Sequence, residues 1–169
     1  MRSIRRRLPP AMSLPAWDGD VHACTMIDSI DGNLSAGNAV TSNADGLIEF
    51  VVTTLGDDNT HIVEYRRQDA TNRWRCVIVE TGQILLQENI TLRANSAVGA
   101  VVNGDRICIV TSGTVHRIYA DNVLEATHTS ATYQSATGGR VAFIDAPGAL
   151  ADLKSWPLGC PAADAAKYP

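Results

Sequence analysis

No stretch of this sequence approaches the roughly 18 or more consecutive apolar residues that a membrane-spanning helix needs. Helical i, i+3, i+4 spacing of apolar residues is also missing throughout. Of the four cysteines, Cys24, Cys76, Cys108 and Cys160, none forms a C-x-x-C pair, which removes the short-spaced zinc and dithiol motifs. Cys76 and Cys108 lie in apolar runs and read as reduced, buried small hydrophobes, with a cross-strand disulfide as the alternative. Catalytic signatures are absent too: there is no Gly-x-Ser-x-Gly elbow, no His-Glu-x-x-His and no phosphate-cradling glycine loop. Glu49, Glu64, Glu80, Glu88 and Glu125 never form the carboxylate cluster that glycoside hydrolysis uses. His22, His61, His116 and His128 stand singly and read as structural or solvent-facing groups. These absences argue against an enzyme. Asp57, Asp58 and Asn59 could offer oxygen ligands to calcium, but acidic turns are common, and neither a metal nor another cofactor is expected.

What is present suits one domain. A chain of 169 residues with 45% hydrophobic and 19% charged side chains can bury a full core without staples. The net charge of −4 hides an asymmetry. Arg2, Arg5, Arg6 and Arg7 sit at one end, leaving 10 basic against 18 acidic groups elsewhere. So acidic a body gives phosphates no basic face, which argues against direct nucleic-acid binding. The basic start is followed by Pro9, Pro10 and Pro15, which break the helical apolar core of a secretory signal. Residues 1–20 therefore read as an extended, proline-stiffened arm.

From residue 21 onward, short apolar segments alternate with turn residues. Strands are predicted at Val21–Ile30, Gly46–Leu55, His61–Arg67, Arg73–Glu80, Gln83–Asn89 and Ile90–Arg93. Further strands are expected at Arg106–Thr111, Thr114–Ala120, Val123–Thr127, Arg140–Asp145 and Ala149–Trp156. Turn signals stand at Asp31-Gly32-Asn33, Ser112-Gly113 and Asp121-Asn122. About eleven strands at such spacing predict an all-β, two-sheet antiparallel jelly-roll sandwich over 21–157. The tail, 158–169, is rich in Pro and Ala and reads as extended.

The run Tyr65-Arg66-Arg67-Gln68-Asp69-Ala70-Thr71-Asn72-Arg73-Trp74-Arg75 resembles the central hairpin of concanavalin-like, laminin-G-like jelly rolls. Before it, Ala44-Asp45-Gly46-Leu47-Ile48-Glu49 continues the likeness. After it come Asn103-Gly104-Asp105-Arg106-Ile107, Gly139-Arg140-Val141-Ala142-Phe143 and Leu153-Lys154-Ser155-Trp156. The likeness spans residues 40–157. Domains of this kind are similar to modules of tailed-bacteriophage head-decoration, tail and fibre proteins, and to carbohydrate-binding modules of secreted glycosidases. No catalytic domain is expected beside the module, which would set it apart from the glycosidase setting.

Two functions follow as expectations. The resemblance implies a non-enzymatic virion accessory protein, made in the bacterial cytoplasm and displayed on the particle. Its arm would dock on a capsid or tail subunit through Arg2, Arg5, Arg6, Arg7 and the apolar anchor Trp17. A homo-oligomer is implied as well, plausible as a trimer at a capsid lattice point. The second function is glycan recognition by a free-standing lectin module. Its candidate residues are Glu64, Arg66, Asp69, Asn72 and Trp74: an indole to stack on a sugar, beside groups for its hydroxyls. On the strand period of two, Glu64 and Arg66 should share a face. The alternative is that these two simply pair across strands while Trp74 packs.

Overall fold

The computed structural model describes residues 26–56, 60–144 and 148–158. The basic arm with Arg2, Arg5, Arg6, Arg7 and Trp17 lies outside the described residues, as do the acidic turn 57–59, Cys24 and Cys160. Twelve strands are formed among the described residues: β1 (Asp28–Asn33), β2 (Ala39–Thr41), β3 (Gly46–Thr54), β4 (His61–Arg67), β5 (Trp74–Ile78) and β6 (Ile84–Glu88) come first. β7 (Thr91–Asn95), β8 (Arg106–Ser112), β9 (Val115–Ala120), β10 (Val123–Thr129), β11 (Gly138–Phe143) and β12 (Ala149–Pro157) follow. Among the described residues no helix is long and apolar enough to cross a membrane.

The strands build two six-stranded antiparallel sheets, one ordered β1-β12-β3-β8-β9-β10 and the other β2-β11-β4-β5-β6-β7. The chain passes between the sheets six times, at β1–β2, β2–β3, β3–β4, β7–β8, β10–β11 and β11–β12. This is the expected jelly-roll sandwich. Alternation along each strand fills the space between the sheets: Ile48, Phe50 and Val52 of β3 meet Val63 and Tyr65 of β4, Trp74, Cys76 and Ile78 of β5, and Leu86 of β6. Cys76 and Cys108 are both buried and are not joined by a disulfide, so the alternative pairing is not formed. Burial pushes the Cys76 thiol up to about 12, which leaves it protonated and inert.

Two local expectations are corrected. Asp31-Gly32-Asn33 is not a turn between strands but the bulged end of β1, whose pairing with β12 shifts register between Ile30 and Asn33. Gly32 has φ +75 there, and its amide donates to the Asp152 carboxylate at 2.8 Å. The turn signal was a bulge signal, since both need a residue at positive φ. Among the described residues the first strand starts at Asp28, residues 21–25 of the predicted segment lying outside them, and β2 was not foreseen at all. Three residues flanked by Ser, Gly and Asn carry too little periodicity to announce a strand.

Candidate binding face

Strand register sorts the residues of the second sheet into an inner and an outer set. Val141, Val63, Cys76, Leu86 and Ala94 stand opposite one another across β11, β4, β5, β6 and β7 and face the core. The neighbouring row therefore faces outward, and it reads Arg140, Glu64, Arg75, Gln87 and Leu92. Two residues along β4, β5 and β6, about 7 Å away, and three along the bulged β11, runs a second outward row of Phe143, Ile62, Val77 and Leu85. Phe143 is 43% exposed at the end of that row.

Glu64 is the centre of the outer face. Its carboxylate is only 1% exposed and meets three guanidiniums, those of Arg67 (Nε–Oε2, 2.9 Å), Arg140 (Nε–Oε2, 3.3 Å) and Arg73 (Nε–Oε1). The three come from different places: Arg67 ends β4, Arg73 precedes β5 and Arg140 lies on β11. Arg75 stands directly opposite Glu64 and donates through Nη1 to Gln87 Oε1 at 3.1 Å and to the Asn89 carbonyl at 3.3 Å. Burial lowers the pKa of Arg75, and the neighbouring Arg73 cation lowers it further, against the pull of Glu64. Three guanidiniums thus share one carboxylate, with that of Arg75 across the ladder from it, a surplus of positive charge on a molecule that is negative overall. The Nη atoms of Arg67, Arg73 and Arg140 make no hydrogen bond among the described residues, and Arg140 is 37% exposed.

The five residues expected to hold a glycan are not brought together. Glu64 faces outward as described. Arg66 does not share its face: its φ of +42 breaks the alternation, and the side chain turns inward until it is 1% exposed. Trp74 is fully buried between the sheets, its indole N–H donating to the Thr132 carbonyl at 3.0 Å. It presents no stacking face to solvent, so the expected platform is corrected to a core residue. Asp69 and Asn72 form the turn itself. Asp69 Oδ1 accepts the Thr71 and Asn72 amides at 2.7 and 2.8 Å, and Oδ2 accepts the Asn72 side-chain amide at 2.7 Å. These bonds, led by that from the Thr71 amide, hold the Asp69 carboxyl well below its usual range. Asn72 Oδ1 also accepts from Tyr133 Oη at 3.1 Å, tying the turn to the 130–136 loop.

Inside, Arg66 and Tyr65 both reach His116 on the opposite sheet. Arg66 Nε donates to the Ala44 carbonyl at 2.9 Å, and Nη2 donates to Asp45 Oδ1 at 2.9 Å and to the Gly113 carbonyl at 2.7 Å. Its Nη1 lies 3.4 Å from His116 Nε2, while Tyr65 Oη lies 3.2 Å from His116 Nδ1. A guanidinium can only donate, so the contact is attractive when Nε2 is an acceptor and the proton sits on Nδ1. Burial first, and the Arg66 cation second, depress the His116 pKa from 6.5 to about 4. A small cavity of about 10 Å³ beside Arg66, lined by Ser42, Asn43 and Thr111, has room for about one water rather than a ligand.

The depressed His116 pKa makes a pH prediction. The unfolded chain binds the proton more readily than the folded one, so stability falls with pH between about 6.5 and 4. The penalty is absent above that window and complete below it. Urea unfolding of wild type should lose about 2–3 kcal/mol across it relative to His116→Gln, which lacks the titrating group. Parallel pH profiles for the two proteins would show that His116 is not held neutral by the fold.

The residues missed by sequence reasoning are Arg67, Arg73, Arg75, Arg140 and Phe143. A signal existed for two of them. If Trp74 packs inward, the period of two places Arg73 and Arg75 on the opposite, outward face.

No protein-family model matches the chain, and no curated protein matches it. Solved structures do. The carbohydrate-binding module CBM66 from Bacillus subtilis is 14% identical with a TM-score of 0.51, covering 79% of this chain and 94% of that one. The CBM40 of the Ruminococcus gnavus IT-sialidase, bound to α2,3 sialyllactose, is 10% identical with a TM-score of 0.56, covering 78% and 92%. An exo-inulinase from Aspergillus awamori matches at 15% identity and a TM-score of 0.60 over 78% of this chain, but over only 28% of its own. At such identities the shared property is the lectin-like jelly-roll fold.

Proposed function

We propose that this domain is a carbohydrate-binding module whose binding surface is the outer face of the β2-β11-β4-β5-β6-β7 sheet. The observation that carries the reading is the Glu64 hub: one buried carboxylate orients the guanidiniums of Arg67, Arg73 and Arg140 on the outward side of the sheet, where Arg140 is 37% and Phe143 43% exposed. An ordinary solvent-facing sheet surface is served by isolated cross-strand pairs worth about 0.2–1 kcal/mol each. Drawing a carboxylate out of water to serve several arginines costs more than such pairs do, and the return is a fixed array of donors. Forked donors beside an aromatic ring suit a sugar, whose hydroxyls need hydrogen bonds and whose C–H face needs an apolar surface. Likeness in fold to two carbohydrate-binding modules supports the same reading. The virion setting rests on the sequence resemblance and on the arm, which lies outside the described residues.

The test is a glycan array with the full chain, followed by calorimetry on any saccharide bound. The double variant Arg140→Ala/Phe143→Ala alters two partly exposed side chains, 37% and 43% open, so melting should shift by only a few degrees. Affinity should fall by about a hundredfold. Undiminished binding by this variant would remove the outer face from consideration.

A further inference from the structure

We infer that the saccharide recognised by this face is acidic, its carboxylate seated against the unbonded Nη edges of Arg67, Arg73 and Arg140. The inference rests on the carbohydrate-binding reading and names its ligand class. It follows from a count of donors and acceptors. The hydroxyls of a neutral sugar both donate and accept, so a site for one must offer both kinds of partner. Here the acceptors of the outward polar row are already in use. The Glu64 oxygens are enclosed by three arginines at 1% exposure, and Gln87 Oε1 takes the Arg75 donor. What remains toward solvent is the second lone pair of Gln87 Oε1 and otherwise donors.

The charge balance points the same way. Arg67, Arg73, Arg75 and Arg140 surround one carboxylate, which leaves the cluster with a formal charge of +3, on a chain whose net charge is −4. Arg75 Nε is buried without a hydrogen-bond partner. A second carboxylate, supplied by the ligand, would accept only, match the guanidinium forks two oxygens at a time, and reduce the repulsion among the four cations. Phe143, three residues beyond Arg140 on the bulged β11, would then meet the C–H face of the sugar ring.

The experiment compares each bound oligosaccharide with its carboxyl-reduced form, in which the acid is converted to a primary alcohol, and with polyglutamate as a non-sugar acid. Carboxyl reduction should weaken binding at least about tenfold, and so should Arg140→Gln. Raising the salt from about 20 to 300 mM should weaken the acidic ligand and leave the reduced one nearly unaffected. Equal affinity for the acid and its reduced form would overturn the inference while leaving carbohydrate binding intact. Binding to polyglutamate as tight as to any acidic saccharide would overturn both, as would an array on which no saccharide binds.

Discussion

Arg66→Met is expected to destabilise the domain by about 3–5 kcal/mol, the largest loss from any single polar side chain of the fold. Methionine matches the length and apolar stem of arginine, so it leaves little cavity, and it meets the same positive φ. What it removes are four donors. The Ala44 and Gly113 carbonyls, Asp45 and His116 Nε2 each lose a partner. Ala44 and Asp45 keep second partners in Thr111 Oγ1 and the Gly113 amide, and His116 Nε2 can carry the proton toward the Ser130 carbonyl at 3.4 Å, which moderates the cost, whereas the Gly113 carbonyl loses its guanidinium donor. Arg66→Lys should recover only part of the loss, because one ammonium cannot reach acceptors spread over three segments. Chemical denaturation measures both. A second readout separates the network from simple packing: without the Arg66 cation, the His116 pKa should rise from about 4 while staying below its ordinary value, since burial remains the larger cause of its depression. A melting temperature within a degree or two of wild type would show that the guanidinium only fills space.

That network was beyond the reach of the sequence because one backbone angle decides it. With φ near −120 at residue 66, Glu64 and Arg66 would point the same way, as the period of two predicts. With φ at +42, Arg66 points inward. Nothing in Tyr-Arg-Arg-Gln marks the second residue as left-handed, since the residues enriched there are Gly, Asn and Asp. By contrast, the sandwich itself was legible. Strands such as Gly46–Thr54 and His61–Arg67 carry alternating apolar residues along lengths that only a two-layer β fold buries. Turns whose chemistry is local were legible too: Asp69 and Asn72 do what their side chains do in most hairpin loops. The outer face lies between these cases. Arg140 lies 65 to 73 residues from Arg67, Arg73 and Arg75 in sequence, and only the register of β11 on β4 and of β4 on β5 makes one group of them. Period alone places Arg73 and Arg75 outward, but no pattern within β4 or β5 indicates that Arg140 will lie beside Glu64.

Trp74→Ala is the second large effect, and it separates a core indole from a binding platform. The ring is fully buried, lies 4.1 Å from the His116 ring centroid and 6.5 Å from that of Tyr65, and its N–H is bonded to Thr132. Removing it should cost about 3–5 kcal/mol, the usual toll of emptying an aromatic site that cannot collapse. The loss should appear in denaturation at once, and any fall in sugar affinity should track the unfolded fraction. Trp74→Phe restores most of the apolar volume and leaves only the Thr132 carbonyl unpaired, so it should cost about 1–2 kcal/mol and bind as wild type does. A platform behaves in the opposite way. Its alanine variant would remain as stable as wild type and bind nothing, because an exposed ring contributes to the complex and little to the fold. Measuring stability and affinity on the same two variants therefore decides which side of the sheet recognises the ligand. If Trp74→Ala melted like wild type but lost the sugar, the outward arginines would be ordinary surface and the candidate site would have to move to the indole.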